Sequence, residues 1–511
     1  MLIQDIFLKT NIYSEIENIS IDHISCDSRN VIKNTLFVAY KGVESDGHDY
    51  INDAISKGAT VIVGTEDFSK IENNGTLHEF KDYKKDFPVY IQVKNGRIAW
   101  AQICANWFGR PQDKLKFIGI TGTDGKTTTC NMIYSVLKEA GLNVAILSTI
   151  NSPGLHVTTP DAFNLHKFLL EFVNNDYEWV ILETTSHALA YNNVFGITYE
   201  FSGLTNISPE HLDFHKSFEN YINAKTKLFL QSKHCILPNN ETGKIVSDKL
   251  KYIRSHTIID FPDGESNNSE YFSSSIFPDS IDVIFYNKNN CPTDINLSMP
   301  GEHFLYDAAI ASVIANNLGI NNKIIKIGLE KVKDLKGRWE ITFDKNFTII
   351  VDHSHTPNAI SSALEASRQY MEKKRLKGRL IHIFGSAGER DAVKRVNMGI
   401  SSAKFADISI ITSEDPRREE IKNINIEIEK GLISLGFVES KDFGNIKNKT
   451  YYDIPWRGSA ISFAINKILQ AGDLLLVTGK GHEESMCFGT IEYPWTDQEC
   501  INKNLQLLNI A

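Results

Sequence analysis

The chain lacks most of the features that would place it in a specialised class. Its 511 residues include only seven cysteines, at positions 26, 104, 130, 235, 291, 487 and 500, and no CxxC pair. Thiols scattered in this way read as reduced structural residues, not as a disulfide framework. No run approaches the roughly 18 apolar residues needed to span a bilayer, so no membrane partner is expected. The opening Met1-Leu2-Ile3-Gln4-Asp5-Ile6-Phe7 has no basic stretch leading into an apolar core, and a cytoplasmic location is expected. Basic charge is not in excess: 54 Lys and Arg face 63 Asp and Glu, a formal net charge of −9. That balance gives no electrostatic reason to expect nucleic acid. Any anionic substrate has to be met by individual Lys and Arg residues. The rest of the composition is ordinary, 42% hydrophobic and 23% charged, which allows ample burial in about three domains.

Three stretches separate by pattern. Residues 1–113 carry short strand-like runs such as Leu36-Phe37-Val38-Ala39 and Thr60-Val61-Ile62-Val63. A helix is expected from Ala99 to Phe108, broken by Gly109-Arg110-Pro111. Residues 114–336 open with the buried-strand run Lys116 to Thr121, a glycine-rich turn and a helix to about Ala140. Strands follow at Asn143–Leu147 and Trp179–Leu182, a βαβ signature. Residues 240–290, rich in Asn, Ser and Asp, read either as a β excursion or as a loop-rich insertion. From Gly337 to the end, runs at Thr348–Val351, Leu380–Phe384, Ile408–Thr412 and Leu474–Val477 alternate with helical segments, as in a doubly wound α/β sheet.

The strongest local signal is Gly119-Ile120-Thr121-Gly122-Thr123-Asp124-Gly125-Lys126-Thr127-Thr128-Thr129, set between strand and helix. Glycines let backbone N–H groups curl around phosphate oxygens, and the helix N-terminus adds positive potential. Lys126 can reach the β- and γ-phosphates, and the Thr127 hydroxyl can ligate Mg²⁺. The usual GxxxxGK(S/T) spacing would start at Ile120, so the loop reads TGTxGKTTT instead. Asp124 opposes the charge of a polyphosphate and is expected to be a solvated loop residue. Glu183, at the end of an apolar strand, is a candidate hard-oxygen ligand for Mg²⁺. His211 and His215 are four apart, but no HExxH glutamate lies between them and Pro209 marks a helix start, which argues against zinc. Lys225 by itself reads as a surface lysine.

Together, TGTDGKTTT, Glu183, Asn206 with His211-Leu212-Asp213, and Ala224-Lys225 resemble the Mur ligase family. Within it they resemble the ligases that add the third peptide residue to UDP-N-acetylmuramoyl-L-alanyl-D-glutamate. The likeness continues through Asp27-Ser28-Arg29, Thr158-Thr159-Pro160, Gly337-Arg338-Trp339-Glu340, Asp352-His353-Ser354-His355, Arg390-Asp391, Glu414-Asp415-Pro416-Arg417 and Gly479-Lys480-Gly481-His482-Glu483. The resemblance implies a three-domain α/β architecture: an N-terminal UDP-substrate domain (1–113), a central parallel-sheet P-loop ATPase domain (114–336) and a Rossmann-like C-terminal amino-acid domain (337–511). It implies ATP and Mg²⁺, small-molecule substrates and a monomer. Gly122, Thr123, Asp124, Gly125, Lys126, Thr127, Thr128, Arg338 and Asp352 would bind ATP. Thr127, Glu183 and His211 would organise the metal, with Lys126, Lys225 and His211 catalytic. Lys225 would be carbamylated, which turns an ammonium into a carboxylate-like group able to support a metal. Ser28, Val43, Glu44, Ser45, Thr158, Thr159, Thr185 and Asn193 would hold the UDP substrate. Arg390, Asp415, Arg417, Gly479 and Glu483 would hold the amino acid. The implied chemistry is phosphoryl transfer to a carboxylate, then attack by an amine on the acyl phosphate.

Three positions depart from the pattern. Asn193 stands where the family places an arginine, Asp307 where it places an asparagine, and Asp415 where it has the asparagine of DNPR. The extra carboxylate of Asp415 is expected to favour an ammonium on the incoming amino acid, hence diaminopimelate, lysine or ornithine. The rivals are a ligase of a specialised peptide pathway, a folate polyglutamylating ligase and a non-catalytic nucleotide-binding protein. The last would be expected to lose Lys126, Glu183 or Lys225, and all three are present.

Overall fold

The computed structural model describes the chain apart from residues 9–18, 43–44, 68–87, 153–157, 252–254, 261–268, 278–279, 287–291, 300, 302, 334, 442–447 and 509–511. In the strands between 255 and 294, side chains are described only at 257–259. Four strands form a parallel sheet in sequence order: β1 (His23–Ser25), β2 (Thr35–Val38), β3 (Ala59–Gly64) and β4 (Val89–Gln92). The next nine are β5 (Lys116–Thr121), β6 (Val144–Leu147), β7 (Trp179–Glu183), β8 (Tyr199–Leu204), β9 (Ser232–Pro238), β10 (Ser255–Asp260), β11 (Ser269–Phe277), β12 (Ser280–Tyr286) and β13 (Pro292–Leu297). They lie in the order β13-β12-β11-β10-β9-β8-β5-β7-β6. The third sheet has β14 (Glu340–Asp344), β15 (Thr348–Asp352), β16 (Leu380–Phe384), β17 (Ile408–Ile411), β18 (Val438–Glu439), β19 (Thr450–Asp453) and β20 (Leu474–Thr478), in the order β14-β15-β20-β16-β17-β19-β18. A hairpin of β21 (Ser485–Phe488) and β22 (Ile491–Pro494) follows.

By compactness the residues fall into two units: 1–119, 143–202 and 227–233 in one, and 120–142, 203–226 and 234–511 in the other. In the first, Leu36, Val38, Val61 and Val63 bury against Trp100, Ile103 and Cys104 of the helix Gly96–Trp107. That helix begins three residues before the expected Ala99, because Asn95 caps it by accepting from Arg97 N and Ile98 N. It stops where Gly109 and Arg110 turn left-handed. Gly119 in β5 has a packing reason, since a Cβ there would lie 2.7 Å from the Tyr199 ring.

In the second unit the third sheet is parallel except for its edge strand β14. Strands buried on both faces read as unbroken apolar runs, which is why they were visible in the sequence. The stretch 240–290 is a β excursion after the helix Glu241–Leu250, with β11, β12 and β13 paired antiparallel. Antiparallel pairing needs no face-to-face burial, so a polar composition suffices. Among the described residues no helix is long and apolar enough to cross a membrane. The six described cysteines are free thiols, and Cys291 lies outside the described residues.

Candidate active site

In the second unit, the phosphate loop joins Thr121 to the helix Lys126–Glu139. Gly125 occupies the N-cap with φ +82, and a Cβ there would come within 2.5 Å of Asp307 Oδ1; only glycine fits. The segment after β8 holds the loop. Thr123 N donates to Asn206 O at 2.8 Å and Asp124 N to Asn206 Oδ1 at 3.1 Å, while Thr205 Oγ1 donates to Asp124 O at 2.6 Å. Lys126 Nζ folds back on Thr123 O at 2.7 Å. Thr127 and Thr128 are buried, and Arg338 Nη2 reaches Thr127 Oγ1 at 3.4 Å.

Asp124 is not the solvated residue expected from sequence. Its carboxylate accepts from Thr356 Oγ1 at 3.2–3.3 Å, and Thr356 caps the helix Pro357–Lys373. A helix N-terminus is where a carboxylate beside a phosphate site can be tolerated. Asp352 lines the same cavity, of about 530 Å³, yet both its oxygens are engaged. Trp339 N donates to Oδ2 at 2.8 Å, and Ser354 N to Oδ1 at 2.8 Å. It therefore fixes the turn that carries Arg338 into the cavity. Asp307 is also buried here, with Oδ1 accepting from Thr129 Oγ1 at 2.8 Å.

Lys225 is not a surface residue: it is 1% exposed, on the helix Phe218–Leu230. Its Nζ donates to Gly122 O at 2.5 Å and lies 4.5 Å from the Tyr221 ring centre. Burial, then the neighbouring charge of Lys126, pushes its amine well below the usual lysine value. His211 is half-exposed and left-handed (φ 55) at the start of the short helix Leu212–His215, so it does not share a helix face with His215. Beside it, buried Glu210 is clasped by His355 Nε2 at 3.3 Å and Lys394 Nζ at 3.4 Å. Burial alone would raise the Glu210 carboxyl, but His355 and Lys394 hold it well below the ordinary range.

The expected amino-acid residues follow strands β16, β17 and β20, at the carboxyl edge where parallel sheets present ligand sites. Arg390 is exposed. Arg417 Nη1 donates to Gly388 O at 2.9 Å. Gly479 has φ +106, and a Cβ on it would sit 3.0 Å from Glu414 Oε2. Asp415 departs from expectation: it is not left open for an incoming ammonium. Its Oδ1 accepts from buried Lys480 Nζ at 2.8 Å and from Cys487 N at 3.0 Å, and Lys480 also pairs with Glu483. Burial would lower the Lys480 ammonium, but Glu483 and Asp415 push it above its usual value. Among the described residues here, Glu414 Oε2 is a buried carboxylate oxygen without a hydrogen-bond partner.

The expected donor-substrate residues belong to the first unit. Ser28 is buried in the turn where Asp27 chelates Arg29. Ser45 O accepts from Gly42 N at 2.8 Å, while Val43 and Glu44 lie outside the described residues. Thr158, Thr159 and Thr185 converge at the end of β7. Thr159 Oγ1 donates to Glu183 O at 2.8 Å and accepts from Thr185 N at 3.0 Å. Thr149 Oγ1 lies 3.0 Å from Thr158 Oγ1, and Thr149 N donates to Glu183 Oε2 at 2.9 Å. Among the described residues, Asn193 Nδ2 makes only a long bond, 3.5 Å, to Pro160 O. Among the described residues no group of three or more His, Cys, Asp or Glu could hold a metal by itself. Thr127 Oγ1 and the Glu183 carboxylate are each hard oxygen donors, the ligand type that Mg²⁺ takes.

Three family models cover this frame: the Mur ligase family catalytic domain matches residues 20–106, the Mur ligase middle domain 120–315, and the Mur ligase glutamate ligase domain 337–481. A UDP-N-acetylmuramoyl-L-alanyl-D-glutamate–2,6-diaminopimelate ligase of Clostridium tetani is 34% identical over 512 residues, covering 98% of each chain. The chain belongs to the Mur ligase family. A solved structure of a ligase with the same printed name superposes with TM-score 0.64 at 20% identity, covering 100% of this chain and 99% of that one. The MurF ligase of Thermotoga maritima, solved in complex with ADP, gives TM-score 0.61 at 18% identity, covering 97% and 100%.

For this Mur ligase, sequence reasoning missed Glu210, Lys394, Lys480 and Glu414. For Glu210, Lys394 and Lys480 the sequence signal was weak because each pairs with a partner far along the chain: Lys394 lies 184 residues from Glu210, and Lys480 lies 65 from Asp415.

Proposed function

We propose that this Mur ligase is an ATP-dependent amide ligase. It adds a diamino acid, 2,6-diaminopimelate first among the candidates, to UDP-N-acetylmuramoyl-L-alanyl-D-glutamate in peptidoglycan precursor synthesis. The observation that carries the reaction type is Lys225, buried against the phosphate loop beside Lys126. A nucleotide-binding protein has no use for a second lysine desolvated there. A ligase does, because a neutral amine adds CO₂, loses a proton and becomes a carbamate.

In this reading the γ-phosphoryl group passes to the donor's free side-chain carboxylate, breaking its bond to the β,γ-bridging oxygen and giving an acyl phosphate and ADP. The incoming amine then attacks the acyl carbon, loses a proton and expels inorganic phosphate. Lys126 swings from Thr123 O to the phosphates, and Arg338 meets the same charge from the other wall of the cavity. Thr127, Glu183, His211 and a carbamylated Lys225 are the residues that would hold Mg²⁺, which would supply charge neutralisation when bound. Residues 1–113 hold the uridine nucleotide, 114–336 ATP and 337–511 the amino acid, with Glu414 and Glu483 facing its ammonium. One chain carries residues for all three substrates, in keeping with a monomer acting in the cytoplasm.

The test is phosphate release with ATP, UDP-N-acetylmuramoyl-L-alanyl-D-glutamate and diaminopimelate, lysine or ornithine. Release that needs the donor and one diamino acid is expected. Release only with neutral amino acids, or none with this donor, overturns the reading.

A further inference from the structure

Arg97 stands between the two stretches proposed to hold the donor, and no role described so far uses it. It is the second residue of the helix Gly96–Trp107. Its guanidinium carbon lies 4.8 Å from the Tyr40 ring centre and 4.2 Å from that of Tyr191. Tyr40 ends the stretch after β2, and Tyr191 ends the helix Ser186–Ala190 that Thr185 caps. Gly96 makes this placement possible, since a Cβ on it would lie 2.5 Å from Tyr40 Cβ. The helix can thus start against that ring and deliver Arg97 onto it.

Two aromatic rings pack against the guanidinium. Of its N–H donors, Nη2 makes a long bond to Lys41 O at 3.4 Å. Among the described residues no carboxylate pairs with it. An arginine has five donors in a rigid fork, and stacking fixes the fork without neutralising it. A brace between two rings needs only the flat face, and a buried salt bridge would cancel the charge. A half-buried cation whose side-chain donors make only one long bond among the described residues is instead suited to an oxyanion. Asn193, two residues beyond Tyr191, brings no charge to this region.

We propose that Arg97 is a substrate-binding residue whose guanidinium anchors an oxyanion of the nucleotide donor, its diphosphate or its peptide carboxylate. The assignment rests on the donor reading above. It is tested by calorimetric binding of UDP and of UDP-N-acetylmuramoyl-L-alanyl-D-glutamate to the wild type, Arg97→Met and Arg97→Lys, alongside ATP affinity and melting temperature. Methionine keeps an apolar stem between the rings, and lysine keeps the charge but not the fork. Arg97→Met is expected to weaken donor binding roughly 10- to 100-fold, with ATP affinity and melting temperature unchanged and Arg97→Lys intermediate. Weakening of UDP as well assigns the diphosphate, whereas weakening of the full donor alone assigns the carboxylate. Adding Asn193→Arg to Arg97→Met is expected to recover part of the loss. Unchanged donor affinity in Arg97→Met overturns the assignment. So does a loss that tracks a lower melting temperature and weaker ATP binding in both variants. A wild type that binds neither uridine ligand overturns the donor reading itself.

Discussion

At the phosphate loop the chemistry is written largely into the backbone: Gly122 and Gly125 are required by close approaches of Thr205 and Asp307, and the helix N-terminus does the rest. Elsewhere in the same unit, around Glu414–Arg417 and Gly479–Glu483, it is collective. Two carboxylates, Asp415 and Glu483, share one lysine there, and each residue's meaning depends on which partner holds it. A backbone-coded site tolerates little change, because no neighbour can replace a missing group. A collective site redistributes. The same substitution type should therefore have unequal effects in the two places.

The largest effect is expected at Lys225. Lys225→Ala should lower kcat by roughly 10³-fold, in the range seen when one preorganised charge-stabilising group is lost. Short carboxylic acids should restore part of it by filling the space of the carbamate. Phosphate release measures both, and near-normal turnover would show that Lys225 is only a packing residue.

At the collective end, the contrast lies between neighbours. Glu414→Gln should raise the KM for the diamino acid by roughly 10- to 100-fold, because it removes the carboxylate left without an internal partner. Asp415→Asn should change that KM by no more than about threefold, since the charge it removes already faces Lys480. Its cost should appear as stability instead, about 1–3 kcal/mol in denaturant unfolding, because Lys480 is buried and keeps only Glu483. If Asp415→Asn moves the KM and Glu414→Gln does not, Asp415 is the residue that meets the ammonium after all.

The same contrast explains what the sequence could convey. The run Lys116–Glu139 announces a strand, a phosphate loop and a helix because both the burial of β5 and the glycines leave local marks. Parallel strands of the third sheet were legible for the same reason, and with them the edge where Asp352, Asp415 and Gly479 emerge. What stayed hidden depends on pairing at a distance. Asp415 beside Pro416 looks like a free carboxylate until Lys480 is folded against it. Asp124 looks solvated until Thr356, 232 residues away, reaches it. Arg97 looks like any helical arginine until Tyr40 and Tyr191 pack against its guanidinium.

Asp307 should show the smallest effect, at the backbone-coded end. It is 2% exposed, and its Oδ2 has no partner among the described residues. Burial pushes its carboxyl up to about 8, against the Thr129 bond and the Arg338 charge that hold it down. An unfolded aspartate titrates near 3.9. Between about pH 4 and about pH 8 the folded chain therefore holds a proton that the unfolded chain has released. The stabilisation is complete below the unfolded value and is lost as pH rises through the folded one. Asp307→Asn keeps the shape and removes the proton. Between pH 6 and pH 9 the wild-type melting temperature should fall relative to Asp307→Asn, by roughly 1–3 °C. Over the upper part of that range the wild-type KM for ATP should rise, because an ionised carboxylate places negative charge beneath Gly125, while the variant's KM stays level. Melting temperatures that run parallel for the two proteins would mean that the carboxyl is already ionised at pH 6. The phosphate loop would then rely on its side-chain cations as heavily as the amino-acid end does.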